Sequence, residues 1–153
     1  MVKAISRILK YGTLLSTLGL LGSVLIQVFA RFFLPNTPPW TEEASRLFFI
    51  YATAFAAGLA LKHQYYVHLD LFFDRLPEHA KKYLLIAIQL LTLIMFAMIG
   101  WYALHFISLG HAERSPSMKI RMSFAFFSIF ILCAALCFYA AIDLRKALKS
   151  KKL

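Results

Sequence analysis

Acidic residues are scarce in this chain, with Asp and Glu together supplying only 7 of 153 residues. None lies in the central part of a long apolar run, because Glu42, Glu43, Asp70 and Asp143 all fall near the ends of such runs. A carrier driven by protons or ions normally keeps a carboxylate in mid-membrane. We therefore do not expect this chain to transport a solute unaided.

Cysteine and intramembrane histidine are also rare. Cys133 and Cys137 lie one helical turn apart, which places their Cβ atoms about 5–6 Å from each other, too far for a disulfide. Only His105 falls within a long apolar segment, so haem ligation between two helices lacks a second imidazole. The chain also lacks a catalytic triad pattern, a phosphate loop and a paired-cysteine metal spacing. These absences predict no enzyme activity, no cofactor and no metal.

Hydrophobic residues are abundant, at 61% of the chain. Four apolar runs are long enough to cross a bilayer once the second is counted from Thr41. The prediction is an all-α integral membrane protein, a single domain over residues 1–153 with four transmembrane helices at about 11–33, 41–61, 83–109 and 122–142. A competing interpretation is a signal peptide cleaved near Ala30, but its apolar run of about 19 residues exceeds a typical signal core. We predict a retained first helix.

A short amphipathic interfacial helix is predicted at about residues 66–76. Its apolar positions follow the i, i+3, i+4, i+7 spacing of a helix lying in a membrane interface. The residues assigned to it are Leu69, Asp70, Phe72, Phe73 and Leu76, with Asp70 off the apolar face.

The net charge of +10 is distributed unevenly along the chain. Of the 17 basic residues, twelve lie in the two tails and the second connection, and five lie on the other side of the predicted membrane. The positive-inside rule then places both termini in the cytoplasm. The basic tails are expected to lie against anionic lipid, and no nucleic-acid partner is expected.

The segment from Trp40 to Arg46 places charge at the mouth of the second span. Thr41 is expected to cap the helix, and Glu42 and Glu43 suit the positive end of its dipole. Arg46 follows those acids by four and three residues, within reach of both on one helix face. Trp40 is an amphipathic ring suited to headgroup level.

A stripe of small and polar residues runs along the first span at spacings of three or four: Gly12, Ser16, Gly19, Ser23 and Gln27. The second span has a similar small-residue surface between Thr53 and Ala60. Such surfaces let two helices approach closely. The two surfaces could pack on each other, or one could receive a partner protein.

These motifs together resemble a known family. The sequence Trp40-Thr41-Glu42-Glu43-Ala44-Ser45-Arg46 opens the second span, which ends at Lys62, and Val67-His68-Leu69-Asp70-Leu71 leads to Leu76-Pro77. The pattern resembles the small membrane subunit of the tripartite ATP-independent periplasmic (TRAP) transporters over nearly the whole chain. Trp40, Glu42, Glu43 and Arg46 match the family's outer motif, and Asp70 matches its inner one.

The resemblance implies a bacterial inner-membrane protein that pairs with a much larger multi-spanning transporter subunit. In the family that partner holds the substrate and sodium sites, and a periplasmic substrate-binding protein delivers an organic acid, often a dicarboxylate or a sialic acid. The implied role is a non-catalytic scaffold that braces the large subunit.

Two site hypotheses accompany this role. In the first hypothesis, the Glu42/Glu43–Arg46 cluster locks the second helix to its neighbours at the periplasmic edge. The simpler alternative is that these charges only compensate the dipole at the start of the helix. In the second hypothesis, a basic surface receives the binding protein. The alternative is that these residues are ordinary charged groups in contact with solvent. The residues of this surface are Arg31, Arg114, Lys119 and Arg121.

Two rival functions are a four-helix membrane anchor of a redox enzyme, holding quinone or haem through His105, and a free-standing small exporter. The missing second histidine argues against the first. The missing mid-membrane acid argues against the second.

Overall fold

The computed structural model describes residues 2–36, 38–62 and 77–149. These residues form four long α-helices: α1 (Val2–Phe33), α2 (Trp40–Lys62), α3 (Glu78–Leu109) and α4 (Ser123–Lys149). All four contain stretches long and apolar enough to cross a membrane. The predicted all-α integral membrane fold is confirmed.

One predicted element cannot be compared with the structure. The interfacial helix at about 66–76, with Leu69, Asp70, Phe72, Phe73 and Leu76, lies outside the described residues.

The helices extend beyond the apolar runs used to predict them. α1 begins at Val2 rather than near residue 11, and α4 continues to Lys149 rather than ending near residue 142. A helix satisfies its backbone hydrogen bonds internally, so its backbone need not change where the side chains become polar. The first and fourth spans are therefore parts of longer helices, which continue as basic segments at the start of α1 and at the end of α4.

Proline residues separate the helices at two connections. Pro38 and Pro39 immediately precede α2, and Pro77, with extended backbone at φ −63° and ψ 149°, precedes α3. Proline suits these positions because it lacks an N–H and fixes φ near the helical value.

α2 contains 23 residues, about 34 Å at 1.5 Å per residue, which spans a hydrocarbon core of about 30 Å.

The helices pack in an open series. α2 packs against α1 and α4, and α4 packs also against α3. Among the described residues, no comparable pairing between α1 and α3 closes the series into a ring. The order in space is therefore α1, α2, α4, α3, and each outer helix has a wide face not covered by the rest of the described chain.

The main hydrophobic core lies where α1 begins, α2 ends and α4 nears its end. Leu9, Leu61, Leu136, Tyr139 and Ala140 are all buried there. At the same end, the Lys62 ammonium donates to the Ser6 hydroxyl at 2.7 Å, which joins α2 to α1.

The opposite end of the bundle, which we call the Trp40 end, contains the start of α2 and the loop of residues 110–122. We call this loop the α3–α4 loop. There the Ser123 hydroxyl donates to the Ile107 carbonyl at 2.9 Å, and the rings of Phe106 and Phe126 lie 5.9 Å apart. The Trp40 end contains the charged motif from Trp40 to Arg46, so it is the candidate functional surface.

Candidate functional site

Glu43 connects α2 to the α3–α4 loop. Its carboxylate oxygen Oε2 accepts hydrogen bonds from the backbone N–H of Met118 at 2.8 Å and of Ser117 at 3.2 Å. Hydrogen bonds to an ionised carboxylate are among the stronger ones in proteins. Residues more than 70 positions apart in the chain are thereby held together at one point.

The α3–α4 loop has a defined internal structure that presents those two N–H groups. The Ser115 N–H donates to the Ile120 carbonyl at 2.8 Å, and the Lys119 N–H donates back to the Ser115 carbonyl at 3.1 Å. Lys119 has φ 55°, in the left-handed region that non-glycine residues rarely adopt. Arg114 and Arg121 form an isolated antiparallel β-bridge across the base of the turn. The loop is a tight hairpin-like turn fastened to α2 at its tip.

The two acids at the start of α2 have different partners. Glu42 Oε1 accepts from the Arg46 guanidinium at 2.9 Å, and the side chains are 66% and 75% exposed respectively. An exposed pair of this kind contributes only about 0.3–0.5 kcal/mol. Arg46 was expected to lie within reach of both acids, whereas the structure pairs it with Glu42 and directs Glu43 to the loop.

Thr41 is placed differently from the expected helix cap. Helix α2 already begins at Trp40, and the Thr41 hydroxyl donates to the Pro38 carbonyl at 2.8 Å. Thr41 is almost fully buried, while Trp40 is 42% exposed. The hydroxyl therefore fixes the entry of the chain into α2 instead of accepting a bond from the first helical turn.

A cavity of about 380 Å³ lies between the start of α2, the α3–α4 loop and the start of α4. Glu42, Glu43, Arg46 and Arg121 line it together with apolar side chains. Ser115 also lines it and is only 6% exposed, and its hydroxyl has no hydrogen-bond partner among the described residues. Charged groups of both signs thus surround an apolar cavity, and an enclosed, unpaired hydroxyl lies in its wall.

The four predicted basic residues do not lie together around one cavity. Arg114, Lys119 and Arg121 share the α3–α4 loop, where the Arg121 guanidinium donates to His111 Nε2 at 2.7 Å. Arg31, near the end of α1, lines a different cavity together with Gln27.

The small-residue stripe of α1 faces aromatic side chains of α2. A Cβ atom added at Gly12 would lie 2.8 Å from the Phe55 ring, and one added at Gly19 would lie 2.7 Å from the Phe48 ring. Ser16 and Ser23 of the same stripe are buried. Gln27 is only partly buried.

The small-residue surface of α2 contains buried positions that contact both α4 and α1. Ala54 is 1% exposed, and a Cβ atom at Gly58 would lie 2.8 Å from the Ala135 Cβ and 2.9 Å from Leu9 Cδ1. At Gly12 and Gly19 the nearest α2 side chains are therefore the rings of Phe55 and Phe48 and not small residues.

One polar contact and one unpaired polar group were not anticipated from the sequence. The Tyr51 hydroxyl donates to the Phe124 carbonyl at 2.7 Å, joining α2 to α4. Ser115 contributes the unpaired hydroxyl of the cavity. No local pattern could have revealed either, because Tyr51 within an apolar run resembles any core aromatic residue and Ser115 any loop serine.

The geometry defines a class of protein before any comparison: a multi-pass membrane protein whose charged residues are gathered at helix ends. The sequence matches the family described as tripartite ATP-independent periplasmic transporters, DctQ component, over residues 20–150. The chain belongs to this family. It is therefore a multi-pass inner-membrane permease component of a transporter and not an enzyme.

Three relatives place the chain more closely. It is 26% identical over 147 residues to a Haemophilus influenzae protein named as a TRAP transporter small permease protein, covering 96% of this chain and 89% of that protein. It is 29% identical over 104 residues to the sialic acid TRAP transporter small permease protein SiaQ of Vibrio cholerae, covering 67% of this chain and 56% of that protein.

The third relative is the isethionate TRAP transporter permease protein DctMQ of Oleidesulfovibrio alaskensis. The chain is 30% identical to it over 83 residues, covering 53% of this chain and 13% of that much longer protein. Small-subunit sequence therefore also occurs as part of a longer permease polypeptide.

Proposed function

We propose that this chain is the non-catalytic scaffold subunit of a sodium-coupled, binding-protein-dependent organic acid importer, of the dicarboxylate or sialic acid type. It would brace a much larger transport subunit, which holds the substrate and sodium sites. Membership of the DctQ family supports this role, as does the relative in which the homologous segment belongs to a longer permease protein. The redox-anchor alternative is not favoured, because the family is a transporter component.

The observation that carries the scaffold proposal is the exposure of α3. In the most apolar 18-residue window of Tyr83–Leu109 no residue is buried. Leu91 is 69% exposed and Trp101 is 75% exposed. Exposed apolar area of this extent mid-span must meet either lipid or another protein. In the open order α1, α2, α4, α3, the outer faces of α1 and α3 remain uncovered. We assign these two faces together to contacts with the large subunit and with lipid.

We place the Trp40 end in the periplasm and both termini in the cytoplasm. Five basic residues of the 17 lie on the Trp40 side of the membrane, and the positive-inside rule assigns the poorer side to the periplasm. The Glu43 bonds then hold the periplasmic edge of α2, α3 and α4 together. This assigns the locking role of the motif to Glu43, whereas the exposed Glu42–Arg46 pair lies at the mouth of the cavity.

The basic residues of this periplasmic surface are proposed to receive an acidic substrate-binding protein. Arg114, Lys119 and Arg121 project from one loop, and Arg31 lies near the end of α1. Exposed charges of this kind speed association more than they strengthen it, and salt screens them. Neutralising all four should reduce uptake most at low ionic strength. Uptake unaffected by this change, and by salt, would refute the docking surface.

The first test is affinity purification of the tagged chain from its native membranes in mild detergent. A single larger polytopic membrane protein should co-purify in stoichiometric amount. A homodimer alone, or a coloured complex with soluble redox subunits, would contradict the scaffold role.

The purified complex then tests the coupling ion. In proteoliposomes supplied with the binding protein, uptake of the organic acid should stop when a sodium gradient is replaced by a potassium gradient. Uptake that proceeds equally under both gradients would rule out sodium coupling while leaving the scaffold role standing.

A further inference from the structure

Two neighbouring cavities lie between α2 and α4, from the Trp40 end towards the middle of the membrane, and we call them together the groove. Its upper part is the cavity beside the α3–α4 loop, of about 380 Å³. Its lower part is a second cavity, also of about 380 Å³, lined by α2 and α4 side chains down to Ala54 and Leu132. Ile50 and Ala125 line both parts, so the two cavities lie next to each other at these residues.

The groove changes character along its length. From Arg46 to Ala54 it follows α2 for about 12 Å at 1.5 Å per residue. The lower part is apolar apart from the hydroxyls of Thr53 and Ser128, and each of these donates to a carbonyl of its own helix. The lower part thus offers no unpaired donor to a polar occupant and suits a hydrocarbon chain.

The upper part carries charges of both signs. Glu42 and Arg46 form an exposed pair, Glu43 is bonded to the loop, and Arg121 faces His111 without a carboxylate partner among the described residues. Two acids and two bases leave this rim without net charge. Its position is within the first turns of a membrane-spanning helix, next to Trp40, at the level where lipid headgroups lie.

The unpaired Ser115 hydroxyl is a second, independent feature of the cavity wall. A buried hydroxyl without a partner is unfavourable, and such groups in native structures are normally satisfied by water or a ligand. Ser115 lines the same cavity as Arg121. The Ser115 oxygen is enclosed in the cavity wall, so Arg121 is the group positioned to meet phosphate oxygens.

We propose that this groove binds one zwitterionic phospholipid of the phosphatidylethanolamine type, from the leaflet at the Trp40 end. One acyl chain would occupy the lower groove past Ile50 and Ala125. The phosphate would accept from Arg121, and the ammonium group would donate to Glu42, whose exposed carboxylate has acceptor capacity beyond its bond to Arg46. Glu42 and Glu43 already have partners and the four charges of the rim sum to zero, so a headgroup that carries both charges matches the rim better than an anionic one. The lipid would fill the gap between α2 and α4 below the Glu43 contact.

The test uses native mass spectrometry on the full-length chain, delipidated in mild detergent and titrated with dioleoyl-phosphatidylethanolamine. Dioleoyl-phosphatidylglycerol and chain-free glycerophosphoethanolamine serve as comparison probes. We expect one saturable phosphatidylethanolamine adduct, about tenfold tighter than that of phosphatidylglycerol, and no adduct with the chain-free headgroup. Equal binding of the two lipids would refute the charge match, and binding of the headgroup alone would refute the role of the groove.

Variants locate the site. Ala125→Phe fills the junction of the two cavities and Arg121→Gln removes the phosphate partner, and each should weaken binding at least tenfold. Ala134→Phe makes the same size change at an exposed position of α4 outside the groove and should leave binding unchanged. Helicity is measured for each; if Ala125→Phe lowers it, Arg121→Gln at its exposed position decides the question. Unchanged binding in Arg121→Gln, or equal losses in all three, would overturn the proposal.

Discussion

Glu43→Gln is expected to release the α3–α4 loop from α2. The native carboxylate accepts from the Met118 N–H at 2.8 Å and the Ser117 N–H at 3.2 Å. One hydrogen bond to a charged group contributes about 1.5–3 kcal/mol, and a neutral one about 0.5–1.5 kcal/mol. Glu43 is partly exposed and glutamine keeps one acceptor oxygen, so the loss should be about 1.5 kcal/mol. That corresponds to roughly a tenfold larger population of the open loop.

Hydrogen exchange at the Ser117 and Met118 amides measures this opening directly, because local opening exposes the two N–H groups. The matched control is Glu42→Gln, which makes the same charge change in the same helical turn but removes only the exposed pair with Arg46. Exchange should accelerate about tenfold in Glu43→Gln and less than twofold in Glu42→Gln. Equal acceleration in both variants would mean that helix charge, and not the loop contact, protects these amides.

Two further substitutions test packing inside the membrane. Gly19→Ala should lower the unfolding temperature in detergent, because its new Cβ would lie 2.7 Å from the Phe48 ring. Overpacking of this kind costs about 1–3 kcal/mol. That cost exceeds the gain of about 0.5–1 kcal/mol from replacing glycine within a helix. Gly22→Ala, with no atom within 4 Å of its new Cβ, should leave that temperature unchanged or raise it; a loss equal to that of Gly19→Ala would contradict the packing. Tyr51→Phe should destabilise the folded chain by about 1 kcal/mol, because the Phe124 carbonyl loses its hydrogen-bond partner at 2.7 Å. An unfolding temperature equal to that of the native chain would show that this carbonyl is otherwise satisfied.

The charged motif at the start of α2 shows how far residue spacing can be used. The i, i+4 pairing of Glu42 with Arg46 was predictable, since both residues lie on one helix and the structure has them at 2.9 Å. The partner of Glu43 was not, because its two donors are backbone N–H groups 74 and 75 residues away. Backbone donors in a loop leave no trace in the side-chain pattern.

The small-residue stripe of α1 illustrates the same division. Gly12, Ser16, Gly19 and Ser23 indicated a close helix contact, and each of the two glycines lies against an aromatic ring. The sequence did not indicate which face of α2 would meet them. That choice depends on how each helix is rotated about its axis. It places Phe48 and Phe55 against the stripe, and Gly58 between Ala135 of α4 and Leu9 of α1.

The sequence by itself determined the four spans and the concentration of charge at their ends, because hydropathy and helix length are properties of contiguous residues. It also indicated the family through the motif from Trp40 to Arg46. Only the tertiary structure decided the open order α1, α2, α4, α3, the role of Glu43 in holding the α3–α4 loop, and the groove between α2 and α4. Each of these depends on pairing between distant segments, which local physical chemistry permits but does not select.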